Sequence, residues 1–323
     1  MGATIGAATP GTATAALRVA DVRYSYGKNK AVDGISFEIR PGEIFGLLGP
    51  NGAGKTTTIS LICGLLPPES GQVLIFGEEA SDRTGRSRAR MGVVPQEVAL
   101  YEELTARENL HFWGQIQGLS GAQLKQAVEG VLGQVGLSDR AGDRVSKLSG
   151  GLKRRLNLAI GLVHGPDLLL LDEPTVGIDP QARLRILDVV KAQAAAGRAV
   201  LYTSHYLEEA EQICHRLAIV DHGRVLAAGT VPELCRLVGE GPVVQVRGEL
   251  GAEQVQAMAS RTQGVTLLNS SDGTASFAVV DAGACSALVR DLLGGGARLD
   301  DLRVQEPSLQ SLFLKLTGRE LRD

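Results

Sequence analysis

The chain carries the stretch Gly49-Pro50-Asn51-Gly52-Ala53-Gly54-Lys55-Thr56, which fits the pattern G-x-x-x-x-G-K-[ST]. An apolar, strand-like run from Ile44 to Leu48 precedes it, and a helix is predicted after it, from Thr57 to Leu65. Glycines let backbone N–H groups close around phosphate oxygens, and the dipole of the following helix favours an anion there. Lys55 would place a positive charge at the β- and γ-phosphates, and the Thr56 hydroxyl can bind Mg²⁺. The stretch therefore predicts a phosphate-binding loop.

Short apolar runs alternate with helical stretches from Leu17 to about Val238, which predicts a largely parallel α/β sheet. Besides the run before the phosphate loop, buried strands are predicted at residues 92–95, 167–171 and 199–203. The interval from Thr105 to Leu137 has helical spacing instead, so a helical insertion into this body is expected.

Two acidic residues, Asp172 and Glu173, follow directly after the apolar run Leu168 to Leu171. Ligands of open α/β sheets bind beyond the carboxyl ends of the strands, so we expect both carboxylates near the phosphate loop. An Asp there can hold Mg²⁺ through water, and the neighbouring Glu can polarise an attacking water. The pair predicts hydrolytic chemistry on a phosphate.

A second pair of glycines occurs in Leu148-Ser149-Gly150-Gly151-Leu152, at the start of a helix predicted to reach about Val163. Ser149 is a candidate N-cap, and glycines at a helix N-terminus leave N–H groups free to bind an anion. On local physics alone, an ordinary capped helix is an equally good interpretation.

Together, these motifs resemble those of the nucleotide-binding subunits of ABC transporters. Residues 49–56 are similar to Walker A, residues 168–173 to Walker B, and residues 148–152 to the LSGGQ signature, with Leu152 in place of the family's Gln. The resemblance covers residues 17 to about 238. It implies an α/β P-loop ABC-ATPase fold, in which a mixed sheet carries a helical subdomain at about residues 100–165.

Smaller elements resemble the family residue by residue. Tyr26 resembles the aromatic residue that stacks on adenine, although Tyr24 is close enough to compete for that role. Gln96 resembles the Q-loop glutamine, which links Mg²⁺ and water to the membrane partner. Asp179 resembles the D-loop aspartate at a dimer interface, and His205 resembles the switch histidine that contacts the γ-phosphate.

The resemblance implies ATP and Mg²⁺ as ligands and a distinct role for each site residue. The catalytic residues would be Lys55, Gln96, Glu173 and His205, and the Mg²⁺ ligands would be Thr56, Gln96 and Asp172. The nucleotide-binding residues would be Tyr26, Gly49, Pro50, Asn51, Gly52, Ala53, Gly54, Lys55, Thr56, Thr57, Ser149, Gly150, Gly151 and Asp179. Since the signature of this family serves the nucleotide of the opposite subunit, and the chain has one of each motif, a dimer with a second ATPase subunit is implied, with a homodimer expected.

About two domains are expected from 323 residues. Residues 1–16 are predicted to be a disordered lead, residues 17–238 the ATPase domain and residues 243–323 an accessory domain, joined by a linker at 239–242. The accessory segment predicts the order β-α-β-β-α-β of a ferredoxin-like α+β unit, followed by a helix from Leu309 to Leu316. The tail, residues 306–319, is similar to that of type-2 exporter ATPases, including the daunorubicin-resistance-like drug exporters.

Composition limits the possible partners. The net charge is -3 and aromatic residues make up 4% of the chain, which argues against nucleic acid as a partner. The four cysteines and five histidines are scattered, so no stable metal site other than Mg-ATP is expected. No apolar run approaches the roughly 18 residues that cross a bilayer. The family resemblance instead implies transmembrane permease subunits as partners and a peripheral position at the cytoplasmic face of the membrane.

The function implied is that of an ATP-hydrolysing subunit that powers an ABC transporter, in particular a type-2 exporter of drugs, lipids or polysaccharides. Two alternatives remain open at this point. One is the ATPase of an importer, against which the exporter-like tail argues. The other is a soluble ABC-type ATPase acting on DNA or ribosomes. Against it, the interval from Thr56 to Leu148 is far shorter than the coiled-coil insertions of DNA-repair relatives, and the chain has a single cassette.

Overall fold

The computed structural model describes residues 15–81, 85–239, 241–249, 251–271, 273–294 and 298–318. Contacts divide the chain into two compact units. The described residues of Met1–Glu43 and Thr56–Leu201 form the first unit, and those of Ile44–Lys55 and Tyr202–Asp323 form the second. The predicted lead at residues 1–16 lies outside the described residues except for its last two positions. The predicted domain boundary near residues 239–242 stays a prediction.

The elements follow one another along the chain in a mixed α/β order. The N-terminal half contains β1 (Leu17–Tyr26), β2 (Asn29–Ile39), β3 (Ile44–Leu48), α1 (Lys55–Ile62), β4 (Ser70–Ile75), β5 (Glu78–Glu79), α2 (Arg86–Ala89), β6 (Met91–Val94), α3 (Ala106–Ile116), α4 (Gly121–Gln134), the 3₁₀ turns Ser138–Arg140 and Val145–Lys147, and α5 (Gly150–Leu162). The C-terminal half contains β7 (Leu168–Asp172), α6 (Pro180–Ala195), β8 (Ala199–Ser204), α7 (Leu207–Ile213), β9 (Arg216–Asp221), β10 (Arg224–Gly229), α8 (Val231–Arg236), β11 (Val243–Glu249), α9 (Ala252–Arg261), β12 (Val265–Ser271), β13 (Thr274–Val279), α10 (Ala282–Gly294), β14 (Arg298–Gln305) and α11 (Leu309–Thr317).

In the first unit, β2, β1, β4 and β5 form an antiparallel sheet in that order. Strands β6 and β7 pair in parallel, with Val94 opposite Leu171. The next strand in that sheet beside β7 is β8. All five residues of β7 are buried, as a strand covered on both faces requires. Both strands of this parallel pair therefore end at the same edge, where Asp172 is the last residue of β7 and Gln96 lies two residues after β6.

In the second unit, the strand order is β10, β9, β3 and β8. Strand β3 pairs in parallel with β9, and β9 pairs antiparallel with β10. Strand β8 belongs to both units, because its first three residues fall in the first and its last three in the second. These strands carry the phosphate loop at the end of β3 and His205 at the end of β8.

The C-terminal part of the second unit has the predicted β-α-β-β-α-β order. Its antiparallel sheet runs β12, β13, β11 and β14. Helices α9 and α10 cover one face of this sheet through a core that includes Val244, Phe277, Met258 and Leu288. The ferredoxin-like α+β unit predicted from the sequence is thus confirmed, and α11 is the predicted additional helix.

The strands predicted at residues 44–48, 92–95, 167–171 and 199–203 are confirmed to within one residue as β3, β6, β7 and β8. Although β3 pairs in parallel with β9, the expectation of a largely parallel sheet is wrong for β1, β2, β4 and β5, which form an antiparallel sheet. The short turn at Gly27 explains this, because Gly27 has φ +61 and lets β1 fold back directly onto β2. Among the helices that the structure describes, none combines the length and apolar character that a bilayer crossing requires.

Candidate nucleotide site

The phosphate loop begins at Gly49, where the backbone leaves β3 with no space for a side chain. A Cβ atom at Gly49 would lie 2.2 Å from the backbone oxygen of Val220, and the Gly49 N–H donates to the backbone oxygen of Ser204 over 3.4 Å. The neighbouring strands β8 and β9 thus fix the start of the loop. The sequence motif predicted the glycine, but only the structure gives this reason for it.

Two further glycines give the loop its shape. Gly52 has φ +82 and Gly54 has φ +100, a region that side-chain-bearing residues rarely adopt. Among the described residues, none lies within 4 Å of a hypothetical Cβ at Gly52, so conformation rather than space requires glycine there. When left-handed residues alternate with others along a loop, the backbone N–H groups point toward a common centre and form a concave anion-binding surface.

The remaining loop residues hold this arrangement together. The Lys55 side chain is buried, and its Nζ donates to the backbone oxygens of Gly49 over 2.7 Å and of Pro50 over 3.1 Å. Ala53 is buried and its oxygen accepts from Gly223 N over 3.1 Å, whereas Asn51 is exposed. A buried ammonium beside a glycine loop at a helix start fits a phosphate group.

His205 lies in the same unit as the phosphate loop, directly after β8. It is buried, and its ring lies 4.2 Å from the ring of Tyr206. The turn containing it is held by Ser204, whose Oγ accepts from Tyr206 N over 2.9 Å and donates to Glu209 over 3.1 Å. Tyr202 also donates to Glu209, over 2.6 Å. No motif pointed to this buried carboxylate, although Glu209 stands in the first turn of the helix that follows β8.

Two carboxylates of the first unit lie at the end of β7, where Asp172 is the last residue of the strand and Glu173 is the next residue. Asp172 and Glu173 are both buried, and Gln96 follows the parallel neighbour β6 as an exposed residue at the same edge. Glu173 has φ +45, a backbone conformation that costs a non-glycine residue roughly 1–2 kcal/mol. Strain of this kind is typical of functional residues.

Thr56 and Thr57 follow the phosphate loop as the second and third residues of α1, with Thr56 exposed and Thr57 half-buried. Cys63 lies just past the end of α1. Burial, reinforced by the negative charge of Asp172, raises the pKa of the Cys63 thiol to about 12. The Asp172 carboxylate therefore lies within electrostatic range of Cys63, just past the end of the helix that carries Thr56. Exposed hydroxyl and buried carboxylate oxygens are ligands that Mg²⁺ accepts.

Across the described parts of the chain, no group of three or more His, Cys, Asp or Glu side chains is placed to hold a metal ion. A magnesium ion usually binds through one or two protein oxygens and the phosphates of its nucleotide. The donor set at the end of β7 and the start of α1 fits that mode of binding.

The second glycine pair begins α5 as predicted. Ser149 is the N-cap of this helix, since its side chain accepts from Leu152 N over 3.4 Å. Gly150 is exposed, and no described residue comes within 4 Å of a Cβ built there, whereas a Cβ at Gly151 would lie 2.7 Å from Ala182 Cβ and 3.3 Å from Asp179 Oδ2. Asp179 in turn caps α6 by accepting from Ala182 N over 2.9 Å. The structure therefore brings Gly151 and Asp179 together.

Tyr24 and Tyr26 both lie near the end of β1 in the first unit. Their rings pack edge to face with centroids 5.0 Å apart. Tyr26 is 54% exposed while Tyr24 is half-buried, so Tyr26 has the more accessible ring for a stacking partner.

Comparison with known proteins gives a consistent picture. The family model described as ABC transporter matches residues 32–176. The linearmycin resistance ATP-binding protein LnrL of Bacillus subtilis (strain 168) is 44% identical over 315 residues, covering 95% of this chain and 100% of the relative. The Nod factor export ATP-binding protein I of Paraburkholderia xenovorans (strain LB400) is 40% identical over 318 residues, covering 96% and 99% of the two chains.

Solved structures are similar as well. The ATP-binding subunit of an ABC transporter matches with a TM-score of 0.63 and 33% identity, covering 69% of this chain and 93% of that one. CbiO1 from Clostridium perfringens, described as part of an ABC transporter complex, matches with a TM-score of 0.63 and 27% identity, covering 70% and 94%.

Proposed function

The chain belongs to the ABC transporter family, as an ATP-hydrolysing subunit of the exporter type that works with a transmembrane permease, and we propose that residues 49–57, 96, 172–173 and 205 form its hydrolytic site. The observation that carries this proposal is the phosphate loop itself. Its glycines, left-handed backbone and buried lysine fit a phosphate, and the family hydrolyses ATP at this motif.

Each residue has a proposed role in hydrolysis. The loop N–H groups and the Lys55 ammonium bind the β- and γ-phosphates, and the Tyr26 ring stacks on adenine. Glu173 orients the attacking water and accepts its proton as the bond from the γ-phosphorus to ADP breaks. His205 and Gln96 contact the γ-phosphate and the water. Preorganised contacts of this kind supply most of the rate in phosphoryl transfer.

Magnesium is proposed to bind through the Thr56 hydroxyl and, directly or through water, through Asp172 and Gln96. When bound, it would neutralise phosphate charge. The burial of Asp172 and the exposure of Thr56 support these assignments.

A second copy of the chain is proposed to complete each site. Ser149 and Gly150 are exposed at the N-terminus of α5, and a helix N-terminus favours an anion. Two copies facing each other would place the Ser149, Gly150 and Gly151 N–H groups of one chain, and its Asp179, at the nucleotide of the other.

The permease is proposed to contact the segment that follows Gln96, residues 97–105, at the cytoplasmic face of the membrane. Val98 is 41% exposed and Tyr101 is 47% exposed in this segment, which gives it apolar surface for a protein partner. Closing and opening of the ATPase dimer would then move the permease through this segment.

Export is favoured over import and over a non-transport role by the names of the relatives, which refer to linearmycin resistance and to Nod factor export. Chains this similar carry names that refer to different compounds. We therefore assign the choice of cargo to the membrane subunits rather than to this chain.

The decisive variant is Glu173→Gln, which keeps the shape of the side chain but removes its proton-accepting carboxylate. We expect ATP binding to be retained and hydrolysis to fall by at least about a hundredfold. In the presence of ATP this variant should accumulate as a closed dimer, and size-exclusion chromatography can detect that dimer. Hydrolysis at the wild-type rate would show that Glu173 has been given the wrong role.

Two lysine variants complete that experiment. Lys55→Ala should abolish ATP binding or turnover, because it removes the buried ammonium of the phosphate loop. Lys125→Ala, on the exposed face of α4, should leave both at the wild-type level. Unchanged ATPase activity in Lys55→Ala would refute its phosphate role.

A further inference from the structure

Helix α5 holds the segment that follows β6 through buried side chains. Arg154 is buried one turn after the signature glycines, and its guanidinium donates to the backbone oxygen of Gln96 and, over 3.3 Å, to the backbone oxygen of Val176. One side chain thus bridges the segment after β6 and the segment after β7, which are the two segments that carry Gln96 and Glu173.

A second buried residue on the same face of α5 secures the rest of this segment. Asn157 donates to the backbone oxygen of Pro95 over 3.3 Å and accepts from Ala99 N over 3.2 Å. Lys153 adds an ion pair to Glu102 at 2.6 Å. Residues 95–102 are therefore attached to α5 at both ends, and Arg154 adds a connection to the segment after β7.

The charge of Arg154 is linked to the catalytic carboxylates. Burial lowers the pKa of the Arg154 guanidinium, and the negative charges of Glu173 and Asp172 act in the opposite direction. A buried charge of this kind is stable only where opposite charges and hydrogen bonds compensate it. The carboxylates at the end of β7 provide part of that compensation.

The neighbouring Arg155 offers a matched comparison on the same helix. Its guanidinium also donates to two backbone oxygens, those of Val135 at 3.1 Å and Gly136 at 3.3 Å. These acceptors lie at the end of α4, in a part of the chain with no proposed site residue. Arg155 therefore makes similar bonds without reaching Gln96 or the end of β7.

We propose that Arg154 is a positioning residue for hydrolysis. It holds the segment after β6, which contains Gln96, and the segment after β7, which contains Glu173, in fixed positions relative to α5. This inference rests on the proposed function of Gln96 and Glu173. Movement of the segment after β6 then displaces the segment after β7, so turnover depends on where the Gln96 segment lies. Nucleotide binding does not depend on Arg154, because the phosphate loop is formed by other residues.

The test compares Arg154→Met with Arg155→Met, since methionine keeps an unbranched apolar stem and removes the guanidinium. For Arg154→Met, we expect kcat to fall by about ten- to a hundredfold while the Kd for ATP stays within about threefold. For Arg155→Met, kcat should stay within about twofold. Arg154→Lys, which keeps the charge but cannot form the planar two-carbonyl contact, should have an intermediate kcat.

Amide hydrogen exchange without nucleotide gives a second readout that does not need turnover. In Arg154→Met, exchange should accelerate by about tenfold or more at residues 96–101, since Arg154 no longer holds the Gln96 carbonyl. In Arg155→Met, acceleration should be confined to residues around 135–137. Arg154→Lys provides the same comparison if the methionine variant does not fold.

Two results would overturn the inference. Unchanged exchange at residues 96–101 would show that Arg154 does not hold this segment. Faster exchange there with kcat equal to that of Arg155→Met would show that the contact is structural only. Failure of the proposed function would look different, because the wild-type chain and Lys55→Ala would then bind and hydrolyse ATP equally.

Discussion

Gly92 and Gly161 show at the residue scale why this chain needs glycine outside its motifs. A Cβ at Gly92, in β6, would lie 2.0 Å from the backbone oxygen of Gly161, in α5. A Cβ at Gly161 would in turn lie 2.5 Å from Val94 Cγ2. Strand and helix therefore approach with backbone against backbone. This close approach lets Arg154 and Asn157 of α5 reach the segment that follows β6.

Substituting Gly92 should consequently be costly. We expect Gly92→Ala to lower the free energy of unfolding by about 3 kcal/mol or more, because the methyl group meets a backbone oxygen that cannot rotate away. Gly130→Ala is the matched control. Gly130 is exposed in the middle of α4, and no atom of the part of the chain that the structure describes lies within 4 Å of a Cβ there, so alanine should raise stability by about 0.5–1 kcal/mol. Denaturant unfolding measures the free energy of unfolding of both variants. Equal midpoints for Gly92→Ala and the wild type would contradict the close approach of the β6 and α5 backbones.

The residue scale also shows what a sequence motif can and cannot predict. The apolar run before Asp172 and Glu173 identified both carboxylates, because strand ends and ligand sites coincide in α/β sheets. The left-handed backbone of Glu173 has no such signal, since glutamate normally avoids that region. Arg154 was missed for a related reason. Its acceptors are 58 and 22 residues away in the chain, and only the fold brings them together.

At the scale of elements, α5 is anchored at both ends. Its N-terminus is capped by Ser149, and just beyond its C-terminus His164 Nε2 donates to the Met91 oxygen at the start of β6 over 2.9 Å. His164 Nδ1 is buried and makes no hydrogen bond within the described residues. Protonating Nδ1 would therefore create a buried positive charge and an N–H donor without an acceptor among the described residues.

This arrangement predicts a pH-dependent stability. Burial lowers the pKa of His164, the Met91 hydrogen bond opposes this effect, and the positive charge of Arg198 adds to it. Since the folded pKa lies below the unfolded value of 6.5, the unfolded state takes up the proton first as pH falls. The contribution of His164 is therefore complete above about pH 6.5 and is lost below it.

The measurement compares unfolding midpoints at pH 7.5 and 5.5 for the wild type and for His164→Gln, whose side-chain amide can still donate to the Met91 oxygen. We expect the wild type to lose more stability than the variant over this interval, because glutamine does not titrate. Other titrating groups are common to both chains and cancel in the difference. Parallel pH profiles would show that His164 is not held neutral by the fold.

Elements were predicted better than their pairing. Hydrophobic periodicity located β3, β6, β7 and β8 closely, because buried strands require continuous apolar runs. The same runs do not specify neighbours, so the antiparallel sheet of β1, β2, β4 and β5 was not foreseen. Partner choice there depends on the glycine turn at residue 27 and on long-range register between β1 and β4, where Leu17 lies opposite Ile75.

At the scale of the whole molecule, the second unit joins the phosphate-loop strand to the end of the chain. Leu309, Leu312 and Phe313 of α11 are buried in one cluster with Leu48 of β3 and Leu217 of β9. Leu309 N also donates to Glu211 Oε1 over 2.9 Å. The composition of residues 239–242 suggested a separate accessory domain, but composition cannot show which core a terminal helix enters.

The shared core predicts that α11 stabilises the nucleotide site as well as the C-terminal part. Leu312→Ala should lower the free energy of unfolding by about 2–5 kcal/mol, as for other fully buried leucines. Leu316→Ala, one turn further along and 40% exposed, should cost far less. Because Leu312 and Leu48 occupy one cluster, ATP binding and far-ultraviolet circular dichroism should be lost together in denaturant, at a lower midpoint than in the wild type. If Leu312→Ala instead melted α11 while ATP binding kept its wild-type midpoint, the terminal helix would be an independent appendage and not part of the core that supports the phosphate loop.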